Sequence, residues 1–272
     1  MAKITALNIY PVKSCKGISL DAAPISETGF THDREWLIVR PDGKFVTQRE
    51  QPKLALITPS LTGTSLRLDA PGLEPLEVPA SLDSNPVEVL CWKDRCAAFD
   101  AGSPAADWLA TYLGAPHRLV RFDAARKRLA SRQWTHDVDA ATQFSDAFPF
   151  LVISQASLDD LNSRLKSPLP MNRFRPNIVI DGVDAYAEDS IHELHSSEVT
   201  LRIVKPCTRC AITTTDQTRG TRDGDEPLRT LRSYRFSREL MGVLFGQNAI
   251  LVNGLGRELR VGQSFEASPA AA

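Results

Sequence analysis

The chain has 272 residues, 32 basic against 33 acidic, and 42% hydrophobic content. Those values exclude an intrinsically disordered segment and allow one large domain or two small ones. A formal net charge of −1 lacks the broad basic footprint of a nonspecific nucleic-acid or anionic-membrane binder, and no consecutive apolar run approaches the ~18 residues of a membrane span.

Met1-Ala2-Lys3 leads straight into the strand-like run Ile4 to Tyr10, without the charged and apolar regions of a secretory signal. Trp36–Val39 and Lys44–Thr47 flank Pro41-Asp42-Gly43 and predict a hairpin. Ser65–Leu68, Leu76–Val78 and Val87–Leu90 are further short strands set apart by Pro and Gly, a spacing that predicts a barrel or sandwich. A helix is expected between Asp100 and Gly114, with Ser103 as its N-cap, Pro104 in its first turn, Trp108, Leu109, Tyr112 and Leu113 on one face, and Gly114 ending it. The polar stretch Arg118 to Val138, rich in Arg, reads as a domain boundary or a loop over a site. Beyond it, Phe148–Ile153 predicts a buried strand, followed by a helix with Leu158, Leu161 and Leu165 facing inward. Asn177–Gly182, Val199–Val204, Ala211–Thr214 and Ala249–Val252 complete the strands, and a small-residue tail runs from Ala267 to Ala272.

The five cysteines, odd in number and sparse, do not form a disulfide framework, so reduced thiols and a cytoplasmic location are expected. Cys207-Thr208-Arg209-Cys210 places two thiols three residues apart, beside cationic groups that favour thiolate. Four readings are open. The pair could be a redox dithiol, although a β-branched run rather than a helix follows it. It could be half of a zinc site completed by His192 and His195. It could be two buried small hydrophobes. One thiolate could also ligate a soft redox metal carried by an anionic cofactor. For that last reading, Lys13-Ser14-Cys15-Lys16-Gly17 offers a turn able to cradle phosphate, and Arg34 and Arg175 stand immediately before strands, where they can be aimed at one point.

Taken in order, Tyr10-Pro11-Val12-Lys13-Ser14-Cys15-Lys16-Gly17, Asp33-Arg34 before Trp36, Phe174-Arg175-Pro176-Asn177, Tyr186-Ala187-Glu188-Asp189, Cys207–Cys210 with its threonines, and Phe245-Gly246-Gln247-Asn248 resemble the MOSC proteins. The name refers to the C-terminal domain of molybdenum cofactor sulfurase. Among them the chain is similar to the mitochondrial amidoxime-reducing component and to bacterial reductases of N-hydroxylated bases, from about Ile4 to Phe265.

The resemblance implies a β-rich α+β fold in which a β-rich MOSC N-terminal domain, residues 1–120, precedes a MOSC-type β-barrel domain, residues 121–268. It implies a molybdenum cofactor, with the metal held by a pyranopterin dithiolene and by Cys210. Lys13, Ser14, Arg34 and Arg175 would surround its phosphate and pterin, and Asn177, Thr208 and Arg209 would add hydrogen bonds. Cys207 would be a neighbour of the metal site, and Asp189 would stand near the open metal face as a proton relay. The activity implied is reduction of N-hydroxylated compounds such as amidoximes, hydroxylamines and N-hydroxylated nucleobases. No cysteine follows Cys210 to build the [2Fe–2S] domain of some bacterial relatives, so an external ferredoxin, flavoprotein or cytochrome b5-like donor is expected, with no membrane anchor. A cofactor or sulfur carrier and a zinc-stabilised β protein are the alternatives.

Overall fold

Phe150–Ser154 is buried at all five positions, as a strand covered on both sides must be. It pairs in parallel with Ile178–Asp181 and antiparallel with Gly242–Asn253. From Ile178–Asp181 the ladder continues through Ala2–Ile9, Ser264–Pro269, Ile191–His195 and Thr200–Thr208, and returns to Gly242–Asn253. The result is a closed barrel of seven strands, which leaves no open edge along this path. Ile4, Leu7, Phe150, Val152, Ile180, Leu201, Ala249 and Phe265 fill its core. The computed structural model describes residues 1–269, so of the tail at Ala267–Ala272 only Ala267–Pro269 falls within it, as the end of a barrel strand.

Closure depends on a glycine. Gly246 has φ +78°, and a Cβ there would meet Ile153 Cγ1 at 2.6 Å and the Val152 carbonyl at 2.9 Å. Only a residue without a side chain lets the two strands approach at this bend.

The first strand of the chain is thus a stave of the barrel built mainly from residues after 150. The intervening chain forms a second β unit. In it a four-stranded antiparallel sheet is ordered Trp36–Val39, Arg118–Phe122, Asp94–Asp100, Pro86–Cys91, and a three-stranded meander covers Thr58–Thr62, Ser65–Asp69 and Leu76–Pro79. The helix Ser103–Leu113 packs Ala105, Leu109 and Leu113 into the core between them. Gly114 ends it at φ +78° in the left-handed conformation that favours glycine. Its N-cap is Gly102 rather than Ser103, one residue earlier than expected, because the Asp100 carboxylate accepts from the Gly102 N–H and fixes the turn.

Two local expectations change in the structure, and a third holds in part. Arg118–Phe122 is not loop: Leu119, Val120 and Phe122 are buried as the strand beside Trp36–Val39, while Arg118 is exposed and Arg121 is half-buried against Glu35, which hides the strand in a polar composition. Ala211–Thr214 is a 3-10 turn rather than a strand. The Thr213 and Thr214 hydroxyls donate to the carbonyls of Cys210 and Ala211 at 3.0 and 2.8 Å, the local bonding by which threonine competes with a sheet ladder. The hairpin at Pro41-Asp42-Gly43 forms, with Val46 N donating to Ile38 O at 2.9 Å, although its second arm makes only isolated bridges. Among the described residues no helix is long and apolar enough to cross a membrane.

Candidate functional site

A cleft lies where the barrel meets the second β unit. Its wall includes Lys13, Ser14, Arg34, Arg175, Asn177, Thr208, Arg209 and Cys210, together with Cys207 and the segment Ser145–Phe148. The enclosed part measures about 110 Å³, room for an anion of phosphate size. Ser14, Arg34 and Arg175 adopt left-handed backbone at φ +68°, +53° and +57°. Each such residue costs on the order of 1–3 kcal/mol and persists only where its surroundings hold it, a pattern that concentrates at binding sites.

The holding contacts are specific. The Arg175 guanidinium lies 4.1 Å and that of Arg34 4.4 Å from the centroid of the buried Tyr10 ring, at cation–π distance. Arg175 Nη1 donates to the Cys15 carbonyl at 2.7 Å, and Tyr10 Oη donates to the Pro176 carbonyl at 3.1 Å. Arg34 pairs with the buried Asp33 and donates to Asn177 Oδ1 at 2.9 Å. Asp33 accepts in turn from the Tyr10 N–H at 2.8 Å. Burial pushes the Arg175 guanidinium down to about 10, so it stays charged at neutral pH without a carboxylate partner among the described residues. The Cys15 thiol is pushed up to about 12 by burial and is a packing residue.

Lys13 Nζ donates to the Phe144 carbonyl and to Asp146 Oδ1, both at 2.6 Å. The surrounding protein opposes ionisation of the Asp146 carboxyl, although the side chain is 65% exposed, but the Lys13 ammonium and the Trp92 indole N–H outweigh this and hold it well below its usual range. Arg128, drawn from the polar stretch, donates to the carbonyls of Gln143 and Ser145 at 2.8 and 2.7 Å and so fixes the loop that carries Asp146. The cleft wall therefore carries four cations, Lys13, Arg34, Arg175 and Arg209, against one carboxylate.

A match to the MOSC N-terminal beta barrel domain covers residues 1–116, and a match to the MOSC domain covers residues 139–266. The chain is 38% identical to mitochondrial amidoxime-reducing component 1 of Mus musculus over 253 residues, which is 90% of this chain and 74% of that protein. It is 38% identical to the human component 1 over 92% of this chain and 79% of that protein, and 36% identical to the human component 2 over 89% and 77%. This chain belongs to the MOSC family.

Of the residues that the MOSC resemblance singled out, the eight given cofactor or metal roles and their neighbour Cys207 line one cleft, and Asp189 stands outside it. Asp189 does not line the cleft. Its carboxylate binds Arg235 Nη2 and Gln247 Nε2, both at 2.6 Å, at the 3-10 turn Ala187–Asp189. Gln247 ties the turn to the strand Gly242–Asn253 and Arg235 ties it to the end of the helix Leu228–Tyr234, so both carboxylate oxygens are engaged. Asp146 is the carboxylate that faces the cleft, and the sequence reading passed over it. The one signal for it was a charge between Phe144 and Phe148 in an otherwise apolar approach to a strand.

The two cysteines of the Cys207–Cys210 pair differ. Cys207 Sγ accepts from Arg209 Nη1 at 2.9 Å and packs beside Phe174 and Phe245. Cys210 stands at the start of the 3-10 turn, where its extended backbone (φ −124°) joins strand to turn. The zinc set fails. His195 pairs with Thr200, at the far end of the strand that carries Cys207, a separation of about 23 Å at the usual rise per residue. Among the described residues no group of three or more His, Cys, Asp or Glu is placed to hold a metal.

The residues present suit an anionic, sulfur-ligated cofactor. Ser145 Oγ and Arg209 Nε, both from residues on the cleft wall, are buried without a hydrogen-bond partner, and groups of this kind carry a cost that a bound acceptor or donor removes. A phosphate monoester of about −1.5 to −2 charges needs several cations to be buried, and the wall supplies four beside two half-buried thiols, Cys207 and Cys210.

Proposed function

We propose that this protein is a molybdenum-cofactor-dependent reductase of N-hydroxylated compounds. The observation that carries the reading is the convergence of Lys13, Ser14, Arg34, Arg175, Asn177, Thr208, Arg209 and Cys210, from four separated stretches of chain, on one cationic cleft. The amidoxime-reducing names of the relatives supply the reaction class.

Lys13, Ser14, Arg34 and Arg175 hold the cofactor's phosphate and pterin. Asn177, Thr208 and Arg209 complete the hydrogen bonds, and the Cys210 thiolate is the protein's bond to the metal. When bound, the molybdenum centre supplies the oxygen transfer, in which an N-hydroxylated amine, two electrons and two protons give the amine and water. Cys207 stays bonded to Arg209 and holds that guanidinium toward the cleft. Asp146 stands between the cleft and the groove beside it as a carboxylate paired with Lys13. The electrons come from a separate donor protein of the ferredoxin, flavoprotein or cytochrome b5-like class, and the five free cysteines suit the reducing cytoplasm.

Metal and pterin analysis of the purified protein, followed by turnover of an amidoxime with a supplied electron donor, tests this reading. One molybdenum per chain with many product equivalents is expected. At most one equivalent would make the protein a carrier, and stoichiometric zinc without molybdenum or pterin would overturn the reading.

A further inference from the structure

Shortly after Cys210 the chain forms a small hairpin in which Thr215–Asp216 pairs with Thr221–Arg222. It follows a barrel strand, yet it packs on the second β unit. Gly220, at φ +62°, lies so close to that unit that a Cβ there would meet Leu56 Cγ at 2.8 Å and Lys53 Cα at 3.1 Å. Arg222 Nη2 donates to the carbonyls of Gln48 and Arg49 at 3.0 and 2.6 Å. The link back to Cys210 is short and held throughout. The Thr213 N–H donates to the Cys210 carbonyl at 3.1 Å, Arg173 Nη1 donates to the Thr214 carbonyl at 3.0 Å, and Thr213, Thr214 and Thr215 are buried.

At the centre of this contact two amides face each other. Gln217 Nε2 donates to Gln48 Oε1 at 2.8 Å, and Gln48 Nε2 donates to Gln217 Oε1 at 3.1 Å. Each Nε2 has one further acceptor, the Thr215 carbonyl at 3.2 Å for Gln217 and the Ser14 carbonyl at 2.8 Å for Gln48. Every amide hydrogen and both amide oxygens are therefore engaged. Gln48 is 0% and Gln217 7% exposed, so losing one partner strands a buried polar group. Neither side chain lines the cleft. One end of the relay is the backbone of Ser14, held at φ +68° beside Lys13. That turn is fixed to the second β unit, where Lys13 N donates to the Trp36 carbonyl at 2.9 Å and Lys16 N to the Ile57 carbonyl at 3.0 Å. The other end is the hairpin that Cys210 leads into.

Apolar side chains of similar volume would fill this space without the desolvation cost of two amides. What the amides add is direction, because their bonds fix one register between the two units. We infer that Gln48 and Gln217 are positioning residues that hold the phosphate turn at Ser14 and the Cys210 sulfur in one spatial relationship, so that a change on either side is felt on the other. The cleft requires such a device, since Lys13 and Ser14 are seated on one unit and Cys210 follows a strand of the other. The inference rests on the reductase reading for the role of Cys210 and on the geometry alone for the coupling.

Each variant is read on the side it does not touch, in the full-length chain freed of cofactor. Binding of inorganic phosphate is measured by calorimetry, and alkylation of Cys210 by iodoacetamide is followed by peptide mass, with Cys207 as the internal reference. Gln217→Ala is expected to weaken phosphate binding about tenfold, the scale of one buried hydrogen bond. Gln48→Ala is expected to speed alkylation of Cys210 relative to Cys207 by about the same factor. Gln217→Glu keeps the shape but can donate to Gln48 Oε1 only when protonated, so its phosphate affinity, as a ratio to wild type at the same pH, recovers between pH ~8 and ~5. Gln48→Met/Gln217→Met restores the filled volume and leaves the affinity low. An unmoved phosphate Kd in Gln217→Ala, equal changes at both cysteines in Gln48→Ala, a flat ratio in Gln217→Glu, recovered affinity in the double Met variant, or a wild type that binds no phosphate overturns the proposal. Wild-type protein that shows these cross effects but carries no molybdenum sinks the reductase reading and leaves the coupling. Molybdenum and turnover without the cross effects do the reverse.

Discussion

Lys13 Nζ lies 2.6 Å from Asp146 Oδ1 and, on its other side, 2.6 Å from the Phe144 carbonyl. The ammonium nearest the cleft's mouth is therefore shared with a carboxylate, and an incoming phosphate must compete for it. Because the Asp146 carboxyl titrates below its unfolded value, the pair contributes fully above the ordinary Asp range near ~3.9 and is lost only as the pH falls beneath it. Urea melts of the wild type and Asp146→Asn at stepped pH test this. The stability difference between them should be constant from pH ~7 to ~5 and shrink toward more acid conditions.

Arg175 presents the opposite sign. Burial places its folded value, about 10, below that of a free guanidinium, so its charge costs stability throughout the range below that value, and the cost is relieved only as the pH rises through it. A bound anion relieves the same cost at neutral pH. Inorganic phosphate is therefore expected to raise the Tm of cofactor-free protein, by the equivalent of about 2.7 kcal/mol at a hundredfold excess over Kd. Arg175→Ala should lose most of that rise, and an equal rise in both proteins would contradict the cage.

Tyr10 orders both arginines, and its hydroxyl reaches the Pro176 carbonyl at 3.1 Å. Tyr10→Phe keeps the ring and removes only that bond. A loss of about 1 kcal/mol in denaturant melts is expected, with phosphate still bound.

Gly246 tests the barrel. Its positive φ and the 2.6 Å approach to Ile153 leave Ala no relaxed position, so Gly246→Ala should cost about 2 kcal/mol or more. Gly256, with φ +77° but nothing within 4 Å of its Cβ position, is the control: Gly256→Ala bears the backbone strain alone and should cost less.

Much of this was legible in the chain because it is written in local patterns. Phe150–Ser154 announces itself as a continuous apolar run, and Pro104 with Gly114 brackets a helix. The eight cleft residues were legible only as an ordered set of motifs, since no spacing along the chain places Lys13 near Cys210. What escaped was decided by tertiary partners. Arg118–Phe122 conceals a strand whose Leu119, Val120 and Phe122 are buried behind a polar composition. Asp146 acquires meaning only from Lys13 and Trp92, which are distant in sequence. Asp189 carries a family motif, and its bonds to Arg235 and Gln247, also distant in sequence, are set by the tertiary fold.

The central claim is that the Cys210 sulfur holds a metal borne by an anion in this cage. Molybdenum and pterin content per chain, measured in wild type, Cys210→Ala and Cys207→Ala purified in parallel, tests it most directly, with amidoxime turnover read on the same samples. The account predicts near-stoichiometric molybdenum in the wild type, N-reduction abolished in Cys210→Ala, and partial activity retained in Cys207→Ala. Equal and complete loss in both cysteine variants, or full molybdenum and activity in Cys210→Ala, would contradict it.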